Sequence, residues 1–413
     1  MEQKGVLRRK VEPLDATGYE EIVVAVVGSV DSGKSSTVGT LVSDTLDDGN
    51  GKSRSIVFVH PHERATGRTS DVAYQYIKDE ESKRIITFVD LAGHETYLKT
   101  TISGLTAAAP DFAIVCISDK ITKMTKEHIG LCYAMGIPFL ILFTKCDLIP
   151  LDKTAELITM MKRLLQSQKS KMFHFRDKAD FKLIENVQTT SVIPFLMTSN
   201  KTGVGLDLVK HALRVFKKRP RSLPNGFVVE HVYNVPGHGT VLSGVSGVDI
   251  SRGDTLYMGP FSKGDFLQTT VRSIHNDYRY DVETLRAGQR GCLAIGFKER
   301  RDRKLRKGLL LSKVLPDNIC KEFKATVSIL HHATTIRPGY QAFVNCGMLR
   351  EPMKFTKLLD MSGNELNHVR SGDKIQVLLE FPKNLNYVYP SQKIAFREGT
   401  VRGFGEVTEV IKL

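Results

Sequence analysis

The stretch Gly28-Ser29-Val30-Asp31-Ser32-Gly33-Lys34-Ser35 stands directly after an apolar run, Ile22 to Val27, and directly before a helix-compatible stretch that begins at Ser36. A glycine, four residues and then Gly-Lys-Ser between a strand and a helix admit few architectures, because the turn must be tight and its amides must converge on something anionic. The reading is a phosphate loop. Backbone N–H groups from Gly28 to Gly33, and those of Lys34, Ser35 and Ser36 at the helix start, would point at phosphates. The Lys34 ammonium would neutralise the β and γ oxygens, and the Ser35 hydroxyl would ligand Mg²⁺.

The surrounding pattern fits this context. Ile22 to Val27, Ile85 to Val89, Phe112 to Ile117, Phe139 to Phe143 and Ile193 to Met197 are short, β-branched and separated by helical stretches, the rhythm of parallel strands with crossover helices. The basic, proline-containing segment Lys217 to Gly226 ends the helical pattern of Leu206 to Phe216 and marks a domain boundary, with Lys217 to Arg221 expected to act as a hinge. Beyond it, short strands punctuated by glycine turns, such as Pro236-Gly237-His238-Gly239 and Arg252-Gly253-Asp254, predict all-β structure with a second break near Leu315 to Asn318. The expected fold is an α/β P-loop domain with a parallel-dominated sheet, followed by two antiparallel β-barrel domains. The expected bounds are an N-terminal tail (1–20), the nucleotide domain (21–222) and the barrels (223–316 and 317–413).

Three further signals lie at ends of expected strands, the side on which open α/β sheets bind ligands. Asp90-Leu91-Ala92-Gly93-His94 places a carboxylate within reach of Mg²⁺ through water and the Gly93 amide near a γ-phosphate. Thr144-Lys145-Cys146-Asp147 offers a carboxylate that can accept both N1–H and the 2-amino group of guanine, a donor pair adenine lacks. Thr198-Ser199-Asn200-Lys201 can supply amides to the guanine O6. Together the four motifs predict GTP/GDP with Mg²⁺.

Composition narrows the setting. Lys and Arg outnumber Asp and Glu by 59 to 45, a net +14 that favours encounter with a polyanion such as RNA. The segment 298–307 carries seven basic residues in ten, read equally as an RNA contact or a solvated loop. The polar, basic start, Met1 to Lys10, lacks a secretory h-region, and no apolar run reaches membrane-spanning length. The six cysteines are scattered without metal-ligand spacing, and His331-His332 has no third ligand nearby. A soluble, cytoplasmic monomer with reduced thiols is expected.

These residues carry a resemblance. Gly28 to Ser35 resembles the Gly-His-Val-Asp-x-Gly-Lys-Ser/Thr loop of the translational GTPases, the superfamily of elongation factor Tu and elongation factor 1-alpha. Asp90 to His94 resembles their Asp-x-Pro-Gly-His, and Glu63 to Thr69 their switch I Glu-Arg-x-x-Gly-Ile-Thr. Val232 to Val241 and Phe396-Arg397-Glu398-Gly399 are similar to stretches of that family's two barrels. Within the superfamily, Gly67-Arg68-Thr69-Ser70 and Asp90-Leu91-Ala92-Gly93-His94-Glu95 look most like the eukaryotic GTP-binding protein one and two group. The chain resembles a compact or viral relative without the N-terminal extension of cellular members.

The resemblance implies that Thr69 ligands Mg²⁺ alongside Ser35 and a water-mediated Asp90. It also implies that His94, Lys34 and Thr69 serve catalysis, His94 by positioning the attacking water. Lys145 would pack on the base, Asp147 would read it, and Ser199, Asn200 and Lys201 would close the pocket. Three departures qualify it. Thr144 stands where most GTPases carry Asn, implying a shorter or missing brace to the phosphate loop and faster exchange. Ala92 replaces Pro and implies a looser switch II. Arg68 replaces an apolar residue, placing charge near the γ-phosphate, toward solvent or against a switch carboxylate.

The implied function is a GTPase switch on or near the ribosome whose barrels bind aminoacyl-tRNA or a tRNA-shaped protein. A release or ribosome-rescue GTPase, a regulatory GTPase of a metabolic enzyme and an RNA-binding module in mRNA turnover use the same scaffold and stay open.

Overall fold

A computed structural model describes residues 13–58, 72–166, 168–177, 180, 191–219, 222–262, 264–297, 303–329, 335–398 and 400–412. Glu63 to Thr69, with Arg68, therefore lies outside the described residues, as do positions 298–302 and His331-His332.

The first domain carries strands β1 (Glu20–Gly28), β2 (Ala73–Asp79), β3 (Arg84–Asp90), β4 (Phe112–Ile117), β5 (Phe139–Phe143), β6 (Lys171–His174) and β7 (Val192–Met197), in spatial order β2-β3-β1-β4-β5-β7-β6. All neighbours pair in parallel except β2 with β3, which form an antiparallel hairpin. The helices are α1 (Lys34–Ser43), α2 (Lys52–Ser55), α3 (Leu98–Ala108), α4 (Lys123–Ala134), α5 (Leu151–Gln166) and α6 (Leu206–Val215).

Period-two alternation divides each strand between two cores. Ile22, Val24 and Val26 pack with Val38 and Leu41 of α1 and with Val209 and Leu213 of α6. Ala25 and Val27 pack on the opposite face with residues of α3, α4 and α5. Each fully buried Val, Ile or Phe contributes about 1.5–3 kcal/mol. With both faces anchored in this way, the loops at the strand ends can depart from regular geometry.

Two of these strands, β2 and β6, are absent from the sequence reading. β2, with sequence Ala-Tyr-Gln-Tyr-Ile-Lys-Asp, is half-buried and mixes polar with aromatic residues, and β6 is four residues long. Neither presents the buried β-branched run that marks an interior parallel strand.

The second domain carries β8 (Phe227–Val235), β9 (Gly239–Ser246), β10 (Ile250–Ser251), β11 (Thr255–Gly259), β12 (Leu267–Asn276), β13 (Thr284–Leu285), β14 (Arg290–Ile295) and β15 (Leu310–Ser312). Six of them close a barrel in the order β11-β12-β14-β9-β8-β15. The third domain carries β16 (Ile319–Ile329), β17 (Gln341–Cys346), β18 (Leu349–Leu359), β19 (Lys374–Glu380), β20 (Asn386–Tyr387), β21 (Lys393–Glu398) and β22 (Thr400–Lys412). Its order, β19-β18-β17-β21-β22-β16, closes through β16–β19 pairing.

The domains are docked. Tyr278, in the turn after β12, is 3% exposed, edge-on to Tyr76 of β2, and its hydroxyl lies 3.0 Å from Thr87 Oγ1 of β3. Arg290 of β14 pairs with Glu230 and sits 5.2 Å from the Tyr74 ring centre of β2. Domain 2 thus rests on the β2–β3 hairpin. Residues before β1 reinforce the seam, since Leu14 N–H donates to the Tyr278 carbonyl and Asn276 Nδ2 donates to the Leu14 carbonyl. Domain 3 contributes Ala395 and Phe404 to the core that contains Leu98, Ile102 and Leu105 of α3.

Described residues on either side of the basic linker are hydrogen-bonded to the first and third domains. Arg219 N–H donates to Asp111, the Ser222 hydroxyl to the Pro390 carbonyl, and Asn225 N–H to the Tyr387 hydroxyl. Within 303–307, Arg306 reaches Asn386, Leu385 and Pro260 across the junction of the two barrels, while Lys304 and Lys307 are exposed. Arg306 therefore works as a joint between the barrels.

Candidate nucleotide-binding site

The strand-to-helix turn after β1 is shaped by backbone conformations that few residues adopt. Gly33, at φ 84°, is the left-handed residue from which α1 starts, and the Thr144 side chain presses within 3.4 Å of the place its Cβ would take. Asp31 also has positive φ, 59°, and points to solvent. Ser29 and Ser32 are buried, Val30 and Ser36 half-buried.

Lys34, in the first turn of α1, is 6% exposed and donates from Nζ to the Ser29 carbonyl at 2.7 Å. Burial pushes its ammonium below the usual lysine range, opposed by the Asp90 carboxylate. A buried ammonium under that penalty is the group an anion would stabilise.

Ser35 and Asp90 meet directly, the hydroxyl donating to Oδ2 at 2.6 Å. The expected pair of Mg²⁺ ligands, from α1 and the end of β3, is thus in mutual contact. Gly93 follows where the chain crosses the loop. A Cβ there would fall 2.4 Å from Lys34 Nζ, 2.6 Å from the Gly28 carbonyl oxygen and 2.8 Å from Ser29 C. Only a bare backbone can approach the loop so closely.

Ala92 is held by a neighbouring helix, because Thr101 of α3 donates its hydroxyl to the Ala92 carbonyl at 2.8 Å. His94 is exposed and caps the short turn Glu95–Tyr97, its Nδ1 accepting from Thr96 N–H at 3.2 Å. That leaves Nε2 as the nitrogen available to a reactant. Glu95 pairs with Lys123 at the start of α4 at 2.9 Å.

The loops after β5 and β7 are tied into the same edge. Thr144 Oγ1 lies 2.8 Å from the Ser32 carbonyl and 3.2 Å from that of Ile117. The brace, expected to be shorter or missing without Asn, is present and carried by a hydroxyl. Lys145 has positive φ, 59°, and Asp147 is exposed beyond it. Cys146 N–H donates to the Thr198 carbonyl, joining the two loops. Ser199 Oγ accepts from Lys201 and Thr202 amides, and Asn200 Nδ2 donates to Thr37 Oγ1 of α1 at 3.1 Å. The buried Ser32 hydroxyl and Asn200 Oδ1 have no hydrogen-bond partner among the described residues. Spare donors and acceptors, a penalised ammonium and a bare glycine make this edge fit a nucleoside triphosphate with its cation. Thr69 lies outside the described residues.

Sequence reading missed His128 of α4, whose Nδ1 accepts the Gly28 N–H at 3.1 Å. No local signal marks it, since it lies 100 residues from its partner. Among the described residues no group of three or more His, Cys, Asp or Glu is placed to hold a metal ion, and no helix is long and apolar enough to cross a membrane.

Comparison with known proteins agrees with this geometry. Residues 20–251 match the family profile of the Elongation factor Tu GTP binding domain. GTP-binding protein 1 of Xenopus laevis is 36% identical over 95% of this chain and 64% of its own length. GTP-binding protein 2 of Homo sapiens is 34% identical over 98% of this chain and 71% of its own. Among solved structures, translation elongation factor SelB from Methanococcus maripaludis, in complex with the GTP analogue GppNHp, superposes with a TM-score of 0.68 at 22% identity. That match covers 96% of this chain and 80% of SelB, and at such identity it speaks to the fold.

Proposed function

The chain belongs to the family of the elongation factor Tu GTP-binding domain, and from that premise we propose that it is a GTPase switch acting with the translation machinery. It binds GTP and GDP with Mg²⁺ and hydrolyses GTP to GDP and phosphate. Its barrels carry an aminoacyl-tRNA or a protein of similar shape.

The residues divide the work. Amides from Gly28 to Ser36 and the Lys34 ammonium hold the phosphates. Ser35, Thr69 and, through water, Asp90 would hold Mg²⁺, which neutralises charge on the β and γ oxygens. Lys145 and Asp147 receive the base, with Ser199, Asn200 and Lys201 behind it. His94 orients the attacking water, and its exposure fits a residue that a partner must hold in place. Gly93, over Lys34, reports whether a third phosphate is present.

The single observation that carries this reading is the convergence of four loops on one edge, with Ser35 on Asp90, Thr144 on Ser32 and Asn200 on Thr37. Two paths lead outward from there. The β2–β3 hairpin, which ends at Asp90, bears Tyr278 and Arg290 of domain 2. Helix α3, which follows Gly93, bears domain 3 through Ala395 and Phe404. Nucleotide state acts on cargo only through different affinity for the two arrangements of these contacts.

The test begins with calorimetry in magnesium buffer, where GTP and GDP should bind and ATP should not. Purified ribosomes should then raise the hydrolysis rate, and charged tRNA should be retained on filters only with GTP. Equal binding of ATP would overturn the nucleotide assignment. A rate indifferent to ribosomes would move the function to a regulatory GTPase of a metabolic enzyme or of mRNA turnover. Ribosome stimulation without tRNA retention would make the cargo a release or rescue protein.

A further inference from the structure

Where β1 leaves the sheet to become the phosphate loop, the Gly28 amide is bonded to a side chain from another element. His128, at the middle of α4, is fully buried and accepts that N–H on Nδ1 at 3.1 Å. Helix α4 is set in place by a capping box in which Thr122 and Thr125 bond reciprocally, and it buries Met124, His128, Ile129, Leu131 and Cys132. His128 thus belongs to the packed face of a helix.

The chemistry of the ring follows from that bond. To accept an N–H, Nδ1 must be unprotonated, so the proton of the neutral imidazole sits on Nε2. Nε2 is buried and has no hydrogen-bond partner among the described residues. An unpaired buried N–H is a cost that a leucine in the same slot would avoid, so filling space does not account for a histidine here. Burial, with the nearby Lys34 charge, holds the imidazole's pKa at about 3, and the ring stays neutral at any working pH.

Gly28 also lies at a point of leverage. Its carbonyl oxygen is one of the atoms closest to where a side chain on Gly93 would begin. The helix that carries His128 is tied at its start to Glu95, the residue after His94, through Lys123.

We propose that His128 is a positioning residue for nucleotide retention: through the Gly28 amide, its neutral ring holds the entry of the phosphate loop in the shape that grips the phosphates, and so sets how long GDP stays bound. This rests on the guanine-nucleotide reading above, and it adds a residue that touches neither nucleotide nor metal.

The experiment uses the whole chain and the fluorescent probe mant-GDP, with dissociation followed by stopped flow. His128→Asn keeps an acceptor near the Nδ1 position, and His128→Leu removes it while filling the space. Asn should release mant-GDP within about threefold of the wild type, whereas Leu should release it roughly 10- to 100-fold faster with little change in association. Should the leucine chain not fold, His128→Gln, polar but with its acceptor displaced from the δ position, takes its place and should release fast.

Unchanged release in a folded Leu or Gln variant overturns the proposal. So does release as fast in Asn as in Leu, because the shape of the ring and not its acceptor would then matter. A wild-type chain that takes up no mant-GDP overturns the nucleotide reading itself, and this inference with it.

Discussion

Replacing Thr144 by valine removes one hydroxyl from the nucleotide site and leaves the shape of the side chain unchanged. Thr144 is 1% exposed, and its Oγ1 lies 2.8 Å from the Ser32 carbonyl and 3.2 Å from the Ile117 carbonyl. A hydroxyl has one proton, so it serves one acceptor at a time, and the shorter contact belongs to the phosphate loop. Ser32 is itself fully buried, so valine leaves a loop carbonyl without a donor and without easy access to water. Such an orphan costs about 1–3 kcal/mol.

The cost falls on the state in which the loop must keep its shape, which is the nucleotide-bound state. When empty, the loop can relax and recover water. With about 1.4 kcal/mol per tenfold change, GDP affinity should fall roughly 5- to 150-fold, while the melting temperature of the empty chain moves little. The assay pairs calorimetric titration of GDP with denaturation of the nucleotide-free protein. Affinity within twofold of wild type would show that the Thr144 brace does not hold the loop. A large loss of stability in the empty chain would place the hydroxyl's role in the core. Thr144→Asn, which brings two amide donors to the same spot, should bind GDP at least as well as the wild type.

Gly93→Ala should leave GDP binding within about fivefold yet lower GTP hydrolysis at least tenfold. Its methyl must displace the Lys34 ammonium or the backbone at Gly28 and Ser29, and single-turnover kinetics with GTP would show it. Arg290→Met strands Glu230 and Asp277 at the seam between the nucleotide domain and domain 2, and should cost about 3–5 kcal/mol in urea denaturation. Adding Glu230→Gln should recover part of that loss. The His128 ring predicts a pH dependence with a definite sign. Its pKa is depressed from 6.5 to about 3 by burial first and by Lys34 second, so the unfolded chain takes up a proton that the folded chain refuses. Its contribution to stability is therefore intact above about pH 6.5 and declines by about 1.4 kcal/mol per pH unit as pH falls toward 3. Unfolding free energies of wild type and His128→Asn, measured from pH 7 to pH 4.5, should diverge below about pH 6 and approach that slope.

What could be read from the chain alone is what depends on neighbours in sequence. A glycine-rich turn between a buried strand and a helix is a local arrangement, and so are Asp90 to His94, Thr144 to Asp147 and Thr198 to Lys201, each at the end of an apolar run. The interior strands β1, β3, β4, β5 and β7 declare themselves because burial on both faces demands unbroken apolar stretches. The half-exposed β2 and the short β6 carry no such demand. Tertiary structure alone decided the contacts between segments distant in sequence. It set His128 on Gly28 and a Thr144 hydroxyl in the role expected of an amide. It also docked Tyr278 and Arg290 on the β2–β3 hairpin and spent Arg306 on the junction of the barrels. Local preference limits which conformations each segment adopts, but which buried amide meets which acceptor is settled only when the packed elements bring them together and leave no water to take either place.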